Sequence, residues 1–507
     1  MSSGTLLDTA TATDDDRRAD EGHAADGPRP TRLSTADVAV AAVLSVALAW
    51  RWSLVAAFPG PIGVDSGNWL RLANAMLGQV DIQDVIVPPL VPLLAGLTDL
   101  LVGPLTTARL LPTLASIAPA LGVWTVIRTF RRDTAGVVVT AALAVAPPTA
   151  AAFAWGGVPQ LVGLGLLPIA LLAIARAALR PSARTWLRAG LASALVGLTS
   201  TLASALLAAG GIAVILVAVM RLGRAPLTGI AAALAPLTPV AGLYAVILAR
   251  MSLPSSRTTE ATGLHALSHG LGEPTGLWLA LITLLAAVVL LSLAGRSTST
   301  PTLLLVGLAA VTVAGVMLGD VRFVAGVPTA VAAGAVLLRG PRPVAGALRL
   351  VVTGGLLLIG IVGIGTQVTQ LGFYAQFAPE HVLEDAERIA ALVPADTTVA
   401  VPPVAGAPAG WWLEARGIDA AVASRSDWLS FPGERAAAVD ALAVFTAPEW
   451  PETTTGATAC AIGAPWLYVP DAWGGMDARA LERELDTGRL VLVEQLRGGL
   501  LLRSGAC

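Results

Sequence analysis

The chain has 507 residues, 55% of them hydrophobic and only 13% charged, with a formal net charge of -2 and a mean hydropathy of +0.74. Such a composition argues against a soluble globular enzyme, and the lack of a basic surplus argues against a partner with a nucleic-acid backbone. Long uncharged runs fill the first 370 residues, as in a polytopic α-helical membrane protein; every one of the 32 basic side chains is an arginine.

Residues 1–34 are small, polar and acidic, with Asp14-Asp15-Asp16 followed by Arg17-Arg18. They read as a disordered cytoplasmic tail, too long and too acidic for the start of a cleavable signal peptide. Val38 to Phe58 is then an uncleaved first span, with Trp50 and Trp52 toward its outer end. Arginine clusters near the ends of later runs set the orientation, because short basic loops stay cytoplasmic. They bracket apolar runs at 105–127, 135–153, 158–176, 226–249, 275–294, 302–319, 323–338 and 350–368. The run 189–220 begins and ends at basic clusters, so it has to cross twice, turning near Thr199-Ser200-Thr201. Residues 85–102, carrying Pro88, Pro89 and Pro92, upset the parity of crossings unless they are re-entrant or only partly inserted; if they form a full span, the cytoplasmic placement of Arg128–Arg132 fails instead. The expectation is about eleven spans over residues 35–369, plus this proline-broken segment.

After residue 370 the composition changes. Glu380–Leu392, Gly433–Phe445 and Asp477–Leu485 have helical spacing; Thr397–Val401, Ala459–Ile462, Trp466–Val469, Leu490–Val493 and Leu500–Leu502 read as strands. Residues 370–507 therefore form a small α/β domain, placed outside the cell by an odd number of spans. Its Cys460 and Cys507, the only cysteines of the chain, are expected to pair in that oxidising setting.

On this topology the outer loops carry the chemistry. Asp65, in Gly63-Val64-Asp65-Ser66-Gly67-Asn68-Trp69-Leu70, follows the first span, where a carboxylate points into a wet cavity unless it merely caps the next helix. Asn68 lies beside it, and Gln160 belongs to the next outer loop. Arg322 and Asp320 occupy a tight turn between two late runs; the arginine either snorkels and pairs with Asp320 or holds a phosphate with its planar fork. His265 and His269, spaced i, i+4, share a helix face and are two of the ligands a divalent metal needs, or else part of a solvated loop helix. Trp411-Trp412 is either a packing element or a platform for sugar rings.

Taken in order, these features resemble the GT-C-type glycosyltransferases, membrane enzymes that use polyprenyl-phosphate-linked sugars. The features are a first span, Asp65, Pro88-Pro89-Leu90, Gly156-Gly157-Val158-Pro159, Arg322 and a C-terminal α/β domain, with Gly410–Glu414 reading Gly-Trp-Trp-Leu-Glu. The resemblance implies a multi-pass cell-membrane enzyme that moves a sugar from a polyprenyl phosphate to an extracytoplasmic acceptor. In it Asp65 would be the general base or acceptor-orienting acid, and Arg322 the donor-phosphate ligand. Many relatives carry a second acid in the next outer loop, where this chain has Gln160, so the need for a divalent metal stays open. The competing class is a non-catalytic envelope protein or lipid/polymer transporter, for which Asp65 would be a cap.

Overall fold

A computed structural model describes residues 34–63, 65–79, 87–130, 134–223, 229–250, 274–294, 299–317, 345–375, 381–402, 409–421, 444, 455–471 and 478–507. Among them the membrane region runs α1 (Thr35–Ala56), α2 (Ser66–Met76), α3 (Leu90–Val102), α4 (Pro104–Ala115), α5 (Ala118–Phe130), α6 (Thr134–Val145), α7 (Pro147–Trp155), α8 (Val158–Leu179), α9 (Ala183–Gly197), α10 (Thr201–Leu222), α11 (Ile230–Arg250), α12 (Pro274–Ala294), α13 (Thr300–Met317) and α14 (Ala345–Ala375). Six stretches of these helices are long and apolar enough to cross a membrane. The most deeply buried is α8, which packs against α5, α9, α10 and α13 and so forms the axis of the bundle.

Local sequence explains where the helices begin and break. Ser34 caps α1 and forms a capping box with Asp37. The run 189–220 does turn at 198–200, where the Ser200 side chain caps α10. Two predicted runs are interrupted: 105–127 at Ser116–Ile117, and 135–153 at Ala146, ahead of Pro147 and Pro148, which cannot continue a helix ladder. Breaks at membrane depth free carbonyl oxygens, and Arg51 of α1 answers both. Its Nη1 donates to the Ser116 Oγ (2.8 Å) and carbonyl (3.3 Å), its Nη2 donates to the Ala144 carbonyl, and its guanidinium lies 5.3 Å from the Phe153 ring centre. α14 crosses the second break at Gly363, where any side chain would collide with the Val145 carbonyl.

The proline-broken stretch settles as α3, only 13 residues long. Its first residue, Leu90, donates to the Leu198 carbonyl in the α9–α10 turn (3.0 Å). Just beyond its other end, Arg109 of α4 donates to the carbonyls of Phe58, Pro59 (2.8 Å) and Gly60 (3.0 Å), which follow α1. At 13 residues α3 is shorter than the helices long enough to cross a membrane.

The C-terminal region comprises α15 (His381–Leu392), β1 (Val399–Ala400), α16 (Ala409–Glu414), α17 (Thr455–Ala461), β2 (Trp466–Pro470), α18 (Ala478–Asp486), β3 (Leu490–Gln495) and β4 (Gly499–Ser504). The sheet order is β1-β2-β4-β3, with β1 parallel to β2 and the other pairs antiparallel. One expectation is corrected: residues 459–462, read as a strand, belong to α17 and the turn after it, because the alanine-rich Thr455–Ala461 favours a helix. The predicted helix Gly433–Phe445 lies, but for Val444, outside the described residues. Cys460 of α17 and Cys507 form a disulfide with Cα atoms 5.6 Å apart. Buried Asp385 of α15 accepts from the Tyr468 hydroxyl (2.7 Å) and from the Arg497 (3.1 Å) and Gly498 (3.0 Å) N–H groups, pinning the β3–β4 hairpin to the helix.

Candidate active site

Asp65 sits one residue before α2, and the backbone around it is stitched to the turn between α7 and α8. Gly63 makes this close approach feasible: its φ is 77°, and a Cβ there would stand 2.7 Å from the Gly156 nitrogen. The Asp65 N–H donates to the Trp155 carbonyl (3.1 Å), and the Trp69 indole donates to the Gly156 carbonyl (2.8 Å). The Ser66 hydroxyl donates back to the Ile62 carbonyl. These bonds fix where α2 starts and which way it points.

Asp65 is 5% exposed. Its backbone is helical (φ -84°, ψ -5°) and its side chain makes no cap hydrogen bond, unlike the extended capping serines Ser34 and Ser200. The carboxylate stands at the positive end of α2, where an anion is favoured, but it is not spent on the helix amides. Gln160 lies in the first turn of α8, three residues past Gly157. Its Oε1 is buried and, among the described residues, accepts no hydrogen bond. Asp65 is thus bonded through its backbone to the Trp155–Gly157 turn, and Gln160 follows that turn in the chain.

Asn68 is engaged elsewhere. Its Oδ1 accepts from Arg71 Nε (2.9 Å), and Arg71 Nη1 in turn reaches Glu414 Oε2 (2.8 Å). Asn74 donates to the Glu414 carbonyl (2.9 Å). Trp411 and Trp412 are buried, and the Trp412 ring covers Gly67, so the pair packs and offers no open face to a sugar. Sequence reasoning missed this buried ion pair, whose members are 343 positions apart. The one available signal was an acid ending the otherwise apolar Gly-Trp-Trp-Leu-Glu.

Arg322, Asp320, His265 and His269 lie outside the described residues. Among the described residues, no group of three or more His, Cys, Asp or Glu side chains is placed to hold a metal ion.

No family model and no curated protein matches the sequence. The fold does match solved structures. One is ArnT from Cupriavidus metallidurans in the apo state, at 14% identity and a TM-score of 0.54 over 92% of this chain and 98% of that one. The same protein bound to undecaprenyl phosphate gives a TM-score of 0.55 at 14% identity, over 91% and 97% of the two chains. The arabinofuranosyltransferase AftD from Mycobacteria gives 0.57 at 17% identity, over 91% of this chain and 41% of that one. The chain thus shares its overall fold with these structures.

Proposed function

We propose that the protein is an integral-membrane glycosyltransferase that moves a sugar from a polyprenyl-phosphate carrier to an acceptor hydroxyl, with Asp65 as the base. The observation that carries this reading is a buried carboxylate at the start of α2, where the chain is hydrogen-bonded to the Trp155–Gly157 turn, in a GT-C-type fold. Fold alone never assigns an activity, so the weight falls on that side chain. The similarity to a structure holding undecaprenyl phosphate points to the same class of lipid carrier.

The chemistry follows from a single displacement. The acceptor oxygen bonds to the anomeric carbon as the bond from that carbon to the phosphate oxygen breaks. Asp65 takes the acceptor's proton, and polyprenyl phosphate departs with the electron pair. Gln160 would accept from a substrate hydroxyl through its unused Oε1. Arg322, with Asp320, would hold the leaving phosphate, within about 15 Å of Asp65 because the two groups flank one sugar. His265 and His269 are assigned to the same face and would border the donor. On the arginine topology this face and the C-terminal region are extracytoplasmic.

The test uses membranes carrying the full chain, supplied with a panel of polyprenyl-phosphate sugars, and follows release of polyprenyl phosphate. Wild type should turn over at least one donor. Asp65→Asn keeps the side-chain size and should lose about 10²–10⁴-fold in rate with folded protein unchanged. Equal rates for both proteins would return Asp65 to a structural role, and a wild type inert to the whole panel would favour the transporter reading.

A further inference from the structure

We infer that Glu414 is a positioning residue for Asp65: the C-terminal region docks on α2 and sets the orientation of the helix that presents the base. This inference rests on the reading of Asp65 given above. α2, 11 residues long, is tethered at its first turn to the Trp155–Gly157 turn, and along its length it packs against both α3 and α16. The polar contacts beyond its first turn that reach another element go to α16. Trp412 lies on Gly67, where even a methyl group would come within 2.9 Å of the ring. One turn on, Arg71 meets Glu414 at 2.8 Å, the two side chains being 6% and 7% exposed. Nearly one turn further, Asn74 donates to the Glu414 carbonyl.

The three contacts follow one face of α2 at helical spacing, so they resist both rotation and tilt. Just past α16, Arg416 pairs with Glu387 of α15 at 3.4 Å. The same short segment thereby joins α2 to the helix that packs on the sheet. A shared apolar core continues across the junction, with Trp69, Leu70 and Leu72 in one cluster with Trp412, Tyr468 and Leu501. Removing one member of a buried ion pair leaves the other charge uncompensated, so the arrangement depends on both. A rotated α2 carries Asp65 off the line to the acceptor hydroxyl, which slows the chemical step without touching the donor's lipid chain.

The experiment compares wild type, Glu414→Gln and the double exchange Arg71→Glu with Glu414→Arg, each as full chain in nanodiscs. Hydrogen–deuterium exchange is read over residues 66–76, with residues 158–179 as the internal reference. Glu414→Gln should exchange about tenfold faster or more over α2 alone, and should lower kcat by a similar factor with donor KM unchanged. The double exchange should recover part of both. Unchanged exchange over α2 overturns the inference, as does a loosened α2 with full kcat, or a loss shared equally by residues 158–179. A wild type inactive with every donor sinks the base assignment separately, and α2 exchange then decides the docking by itself.

Discussion

Breaking the Cys460–Cys507 bridge tests the C-terminal region most directly. The bond closes a span of 47 residues, from α17 to the end of the chain, and ties β4 to that helix. On the chain-entropy model a loop of that length removes unfolded-state freedom worth about 4 kcal/mol at 25 °C. The replacement Cys460→Ala with Cys507→Ala leaves the Ser504 hydroxyl its bond to the Gly456 carbonyl (2.9 Å), so little native geometry is lost. Pulse proteolysis of the full chain across a urea series, with cleavage mapped to residues 381–507, reports the midpoint of this region alone. With a slope near 2 kcal/mol per molar urea, the midpoint should fall by about 2 M. A fall under about 0.5 M would refute the reasoning, because the bridge would then add strain that cancels its entropy term. Two reactive thiols in protein isolated without reductant would refute it too, and would undercut the extracytoplasmic placement.

Two more outcomes follow. Burial, then the hydrogen bond to Asp385, pushes the Tyr468 phenol well above its ordinary pKa. The unfolded chain gives up this proton from about pH 10 while the folded one keeps it, so stability is full below that pH and falls above it by up to about 1.4 kcal/mol per unit; Tyr468→Phe should flatten that fall in urea titrations, and an identical alkaline limb would exclude the mechanism. Arg51→Leu should strip the Ser116 and Ala144 oxygens of their donor at about 1–3 kcal/mol each, seen as earlier thermal aggregation in detergent, whereas an unchanged melting profile would show that the breaks need no cation.

Much of the bundle was legible because lipid and helix geometry impose simple rules. Apolar runs became helices, and the turn at 198–200 followed from arginines at both ends of 189–220. The strands Trp466–Pro470 and Leu490–Gln495 came from β-branched and aromatic residues between turns. What escaped was long-range or depended on competing propensities. Thr455–Ala461 alternates small residues, a pattern open to either structure, and alanine decided it. Arg51 stands between two tryptophans and looks interfacial, yet its acceptors come from breaks 65 and 93 positions away. Asp65 was singled out as the active-site carboxylate, but that its side chain makes no cap hydrogen bond could be seen only once the backbone of α2 was in view.

The length of α14 has a mechanical consequence. Its 31 residues measure about 46 Å at 1.5 Å each, against a hydrocarbon core of about 30 Å and about 40–45 Å with the headgroup layers included. The helix is therefore a ruler for the whole bilayer, held along α6 and α7, with Gly363 against Val145 and Gln367 accepting from the Trp50 indole (3.2 Å). A thinner membrane would be met by the helix leaning together with these neighbours. Leaning would swing the end that leads to α15, and the sheet and α16 with it, across α2. Acyl-chain length should then tune turnover in reconstituted vesicles, with the Arg71–Glu414 contact as the element that transmits the strain.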